Sequence, residues 1–390
     1  MAPRGAEWQV VQTLPDGAVR GIGYSAAASG SEPGGHQKWS RMRYLQLVAI
    51  GMAMVSTAAS AEIESHLKRQ AFVAQVVQSV VARDFASLDR KAEELRKSKA
   101  RAPDGRWKVA FLYGGVEEGM RKLAGTDAAW SALDKQLLDF AKQRPKSENA
   151  WLFYAVALQT RAWQLRGTGF SSETTPAGRA AFVQYMGRAR DVLDAHKDQL
   201  AANPEWYPQR IGIANFLGEG EATVDALFKE GVAKEPVYYG TYFAALHHRT
   251  PHWGGSIDAM VAFMNSSVRY ATPAEGVSMY ARLAWFADEL GFYEVIESPA
   301  IDWKIMRQSF EDALHAFPDD WNAQKFLLMA CEKPDTAEAK RVVAYVKEAA
   351  SPALLRKNVP TYEACKALAL GTGQPFMMRD PDTGKLKLIQ

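Results

Sequence analysis

The densest group of side chains able to do chemistry is His247-His248-Arg249-Thr250-Pro251-His252-Trp253-Gly254-Gly255-Ser256. Three imidazoles so close together raise the question of a metal, since neutral imidazole is a common zinc ligand. Pro251 breaks any helix between His248 and His252, so an i, i+4 ligand pair on one helical face is not available. The run holds no acidic or cysteine ligand, although Asp258 is close by. The expectation is no metal and a tight inter-helix corner. Proline fixes φ, the two glycines allow positive φ, Trp253 plugs the core and Ser256 caps the next helix. The alternative use is a hydrolase site for an envelope polymer, built near His247, His248, His252 and Arg166.

Two further groups qualify as ligand-binding candidates beside His248, His252 and Trp253. In Ala162-Trp163-Gln164-Leu165-Arg166-Gly167, Arg166 suits a helix C-terminus and reads as an anion-binding residue in a groove. Tyr280-Ala281-Arg282, with Trp285, forms a similar polar-aromatic patch, or else a buried Tyr hydroxyl and Arg stem in a helix seam. Signatures of catalysis are absent: no His-Glu-x-x-His, no Gly-x-Ser-x-Gly and no phosphate-binding glycine loop. Ser65-His66-Leu67-Lys68 fits Ser-x-x-Lys without its partner motifs. Glu117-Glu118 and Asp319-Asp320 point apart on a helix and make poor acid/base pairs. No catalytic residue and no cofactor is assigned, and the chain reads as a binding protein rather than an enzyme.

The elements that must position these residues are helical. Phe72, Val73, Val76, Val77, Val80 and Val81 fall on one face, and Phe85, Leu88, Ala92 and Leu95 continue as a second stripe. A turn follows at Ala102-Pro103-Asp104-Gly105. Trp107–Tyr113 is a buried helix or a short strand, ended by Gly114-Gly115. From Thr126 the helices come in antiparallel pairs, spanning 129–143, 149–165, 177–200, 208–217, 222–233 and 237–248. At the junctions a proline precedes an aromatic: Pro145…Trp151, Pro204-Glu205-Trp206, Pro236-Val237-Tyr238 and Pro318…Trp321. Proline stops one helix and the aromatic wedges between hairpins. Pro204 and Pro236 lie 32 residues apart, near the tetratricopeptide period, although the full consensus is absent. The fold expected is all-α, with tetratricopeptide-like hairpins in a curved α-solenoid. A small β-hairpin at the C-terminus turns at Asp380-Pro381-Asp382-Thr383-Gly384.

Domain organisation begins with an address. Met42–Ala61 (MRYLQLVAIGMAMVSTAASA) has a basic flank, a short apolar core and the small-x-small triplet Ala59-Ser60-Ala61. The core is shorter than the ~20 residues a spanning helix needs, so a signal peptide cleaved after Ala61 is expected rather than an anchor. Residues 1–41, rich in Gly, Ala, Ser and Pro, read as a mis-called start or a disordered extension. The remaining divisions are an N-terminal helical region (62–125), a helical-repeat domain (126–370) and a C-terminal hairpin or tail (371–390).

The 390 residues carry 47 basic and 44 acidic side chains. Residues 1–61 hold Arg4, Arg20, Lys38, Arg41 and Arg43 against Glu7, Asp16 and Glu32, which leaves 42 against 41 beyond Ala61. A nucleic-acid binder would show a basic surplus, so none is expected. Cys331 and Cys365 are expected as disulfide partners in an oxidising compartment, a link that stabilises by about 3–4 kcal/mol. The alternative is two reduced, buried thiols.

Several segments in order resemble an uncharacterised bacterial domain-of-unknown-function family of exported helical proteins. They are Phe85–Leu88 with Glu94-Leu95-Arg96, Pro103–Lys108, Ala162-Trp163 with Arg166-Gly167, and Trp253–Ser256. Gly276 with Tyr280-Ala281-Arg282, Asn322 and Ala330-Cys331 complete the series. The resemblance runs from Phe85 to Cys331 and implies no activity. The function expected is a periplasmic or secreted repeat protein that holds a peptide or protein partner of the cell envelope in its groove.

Overall fold

A computed structural model of the chain describes residues 12–13, 19–20, 63–167, 173–292, 294–333, 335–355, 359–379 and 386–389. The expected signal peptide, residues 42–61, lies outside the described residues, as do the C-terminal turn residues 380–385. Among the described residues there are 18 α-helices, and the fold is all-α. Two short antiparallel strand pairs accompany them, Gln12–Thr13 with Val19–Arg20 and Phe376–Arg379 with Leu386–Ile389. No described helix is long and apolar enough to cross a membrane.

The first helices, Glu64–Val81, Phe85–Lys97 and Lys108–Leu123, pack as a trio. Asp84 caps the second by accepting from Ser87 N at 3.1 Å. Gly114 and Gly115, read as a helix end, lie inside the third helix, which continues to Leu123. Their use is contact rather than termination. A side chain on Gly115 would meet Val76 at 2.8 Å, and one on Gly119 would meet Val80 at 2.5 Å. The valine ridge of Glu64–Val81 therefore lies directly against backbone, and the burial this permits offsets glycine's poor helix propensity. Val81, assigned to that ridge, is 47% exposed, while Val73, Val76, Val77 and Val80 are buried.

The following helices begin where cap residues stand. Thr126 Oγ1 accepts from Ala129 N at 3.2 Å, Ser256 Oγ from Ala259 N at 3.0 Å, and Asp335 Oδ1 from Glu338 N at 3.0 Å. The helix expected over 177–200 is two, Pro176–Ala195 and Lys197–Leu200. They divide at His196, whose ring stacks on Trp151 at 3.9 Å. Trp206–Leu217 packs on Pro176–Ala195, on Glu221–Lys234 and on Tyr239–His248. The last of these packs on Met279–Glu289, which in turn meets Trp303–Ala316. Of the aromatics after proline, Trp206, Tyr238 and Trp321 are at most 2% exposed and fill the seams, while Trp151 is half-buried. Cys331 in Asp320–Glu332 and Cys365 in Val359–Ala369 form a disulfide, with Cα atoms 6.2 Å apart.

Candidate functional site

The histidine-rich corner closes the helix Tyr239–His248 with a 3₁₀ turn, Pro251–Trp253. Gly254 takes positive φ, +85°. Gly255 does not and is required for a different reason, since a Cβ there would sit 2.0 Å from the Arg249 carbonyl oxygen. The imidazoles face different partners. His247 Nε2 accepts from Trp253 Nε1 at 3.1 Å, which places its proton on Nδ1. Burial, with smaller contributions from His252 and His248, pushes His247 down to about 4, so it is neutral at physiological pH. His248 Nδ1 donates to Asn215 Oδ1 at 2.8 Å. The His252 ring lies 4.8 Å from that of Phe292. Among the described residues no group of three or more His, Cys, Asp or Glu side chains is placed to hold a metal.

From this corner an aromatic array runs along one edge of the helices. Phe216, at the end of Trp206–Leu217, lies 5.3 Å from Trp253 and 5.2 Å from Trp163, which itself meets Phe182 at 4.8 Å. The Arg166 guanidinium stands 5.2 Å over Trp163 and donates to the Gly167 carbonyl at 3.2 Å. Trp163, Phe216, Trp253 and Arg166 are all half-buried. Arg166 and Trp253, far apart in sequence, thus belong to one surface, and His248 joins its flank through Asn215. Phe216 is the residue that sequence reading missed. Its only local signal was an apolar position just before a helix-ending Gly218.

Tyr280 and Arg282 lie elsewhere, and both are fully buried. Tyr280 Oη donates to Asn265 Oδ1 at 2.7 Å and accepts from Asp302 N at 3.0 Å. Arg282 holds a loop of the protein itself: its Nη1 donates to the Asp104 carbonyl at 2.8 Å, joined there by Asn322 Nδ2 at 3.3 Å. That loop, between the bridged residues Arg101 and Trp107, is inserted among helices from the far half of the chain. Gly105 takes φ +94°, and a Cβ on it would meet Phe317 at 2.8 Å and the Tyr239 hydroxyl at 2.9 Å. Arg101 pairs with Glu275 at 2.7 Å.

Asp104, 2% exposed, anchors the loop. Its carboxylate accepts from Arg69 Nη1 at 2.9 Å, from Arg106 Nε at 2.9 Å and Nη2 at 2.6 Å, and from Arg106 N at 2.9 Å. Burial alone would raise its pKa, but the Arg106 and Arg69 guanidiniums outweigh it and hold the group near 2. Arg69 also lies 4.2 Å over Trp321, on which His66 stacks at 4.7 Å.

A second buried carboxyl, Glu205, behaves oppositely. Tyr238 Oη donates to its Oε2, Gln209 Nε2 donates to its Oε1 at 2.8 Å, and Gln159 Nε2 donates onward to Gln209 Oε1 at 2.8 Å. Burial pushes its pKa up to about 7. The bonds from Tyr238 and Gln209 pull it down, and the charge of Glu117 adds to the rise. In sequence this Glu was only the middle of a Pro-Glu-Trp junction.

Residues 73–197 match the model of a family described as Domain of unknown function (DUF4034). The match includes Trp163, Arg166 and Phe182 and stops short of Phe216 and the histidine corner. No curated protein and no solved structure matches the chain. Over residues 73–197, therefore, the chain is similar to an uncharacterised domain-of-unknown-function family, DUF4034.

Proposed function

We propose that this is an exported helical-repeat protein, its hairpins arranged as a tetratricopeptide-like α-solenoid, that binds a peptide or protein partner of the cell envelope. The packing of many helices against sequence neighbours, such as Ala150–Arg166 on Pro176–Ala195 and Trp206–Leu217 on Glu221–Lys234 and Tyr239–His248, supports the solenoid reading. The half-buried row Trp163–Phe216–Trp253, flanked by Arg166 and His248, carries the binding reading. Half-exposed aromatics beside arginine are the residue types that dominate interface energetics.

The test is selection of a random-peptide display library on the purified protein. A consensus is expected, with affinity falling at least tenfold for Trp253→Ala, corresponding to about 1.4 kcal/mol or more. Enrichment that is the same on wild type and Trp253→Ala would remove the edge from consideration. Export has its own test, the intact mass of the protein from its native host, alkylated without reduction. A mass beginning at Glu62 with both cysteines unalkylated is expected. A mass retaining residues 1–61 with two alkylated thiols would overturn it.

A further inference from the structure

Arg282 has no solvent exposure, and arginine does not lose its proton in proteins. Its charge needs an answer within the fold, because an unpaired buried charge is strongly unfavourable. The neighbouring carboxylates are already engaged. Asp104 answers Arg69 and Arg106, and Glu275 answers Arg101 while accepting from Tyr239 Oη at 2.5 Å. Among the described residues no carboxylate lies within ion-pair distance of Arg282.

The guanidinium is also held in a fixed attitude. Nη1 is tied to the Asp104 carbonyl at 2.8 Å and reaches Asn322 Oδ1 at 3.5 Å. The Tyr239 ring lies 4.5 Å and the Phe317 ring 5.6 Å from the guanidinium carbon. Nε and Nη2 are buried and have no hydrogen-bond partner among the described residues. Those two N–H groups form the side-on edge of the guanidinium, two parallel donors in the fork that takes an anion bidentately.

We infer that this edge of Arg282 binds a small monovalent anion, of halide or formate size, enclosed beside the Asp104 loop. The side chain has no exposed surface, which limits the ligand to a small ion. The anion supplies both acceptor capacity and the missing charge. Two water molecules would satisfy the donors and leave the charge unanswered. The site would make the seating of the Arg101–Trp107 loop depend on the anion composition of the medium.

The full chain is to be exchanged into a halide-free buffer with a bulky sulfonate as the only anion. Chloride, bromide or formate then replaces the sulfonate at constant ionic strength. A saturable rise in Tm of a few degrees is expected, abolished in Arg282→Gln. Crystals soaked in bromide should show an anomalous peak within hydrogen-bonding distance of Nε and Nη2. A Tm indifferent to the anion, with ordered water or no density at that edge, overturns the inference. If Arg282→Gln does not fold, the wild-type titration and the bromide peak decide the matter.

Discussion

Asp104→Asn is expected to destabilise the protein by about 3–5 kcal/mol, the usual cost of removing one partner from a buried ion pair. The substitution keeps the shape of the loop and leaves Arg69 and Arg106, 6% and 7% exposed, without their counter-charge. An amide nitrogen would also face guanidinium donors, where the carboxylate accepts from three directions. The effect is linked to protons with a definite sign. The folded group titrates near 2 and its ordinary value is 3.8, so its contribution is present above 3.8 and is lost as pH falls through about 2. That linked part is about 2 kcal/mol. Urea unfolding of both proteins at pH 7, with Tm followed from pH 5 to pH 2, measures it. A loss below 1 kcal/mol at pH 7, or a gap that stays constant down to pH 2, would show that the arginines find other partners.

Glu205→Gln should act in the opposite direction along the pH axis. The folded group titrates near 7 against an ordinary 4.5. Its contribution is therefore complete below 4.5 and is lost as pH rises through 7, amounting to about 3 kcal/mol. The glutamine variant lacks this dependence, so relative to wild type it should gain about that much between pH 4 and pH 8. Part of the gain is offset by geometry. Tyr238 and Gln209 both donate to Glu205, so a glutamine can accept from Tyr238 only if Gln209 turns its oxygen inward. That turn breaks the bond from Gln159 unless Gln159 turns too, giving up its 3.4 Å bond to the Ala155 carbonyl. Unfolding free energies at half-unit pH steps decide it, and parallel curves for the two proteins would refute the assignment. His247, held near 4 by burial, acts with the opposite sign. Its contribution is present above 6.5 and lost as pH falls through 4.

The local part of this structure was legible in the sequence, and the long-range part was not. Ser256 announces a helix start because a cap bonds to a backbone N–H three residues on. The proline-aromatic junctions predict buried Trp206, Tyr238 and Trp321 because proline acts on its own turn. Gly114-Gly115 misleads for the same reason. Sequence spacing shows that glycine weakens a helix, whereas only packing shows Val76 and Val80 lying where a side chain would be. The histidine corner was readable as a turn, but its link to Arg166 passes through Phe216, which no motif marks. Arg282 was expected to face a ligand groove or a helix seam. Its partner in Asp104 lies 178 residues away, a pairing that neither periodicity nor propensity encodes.

The Arg101–Trp107 loop also bears on how the chain is made. An array whose helices touch only their neighbours can fold from its first hairpin as it emerges. Here Asp104 is completed by Asn322, 218 residues later. At ~5–20 residues per second, synthesis separates the two by roughly 10 to 40 s. Through that interval the loop lacks its contacts with Arg282, Phe317 and Asn322. Closing first to last converts a chain of independent neighbours into one cooperative unit, so damage near residue 322 is felt at residue 69.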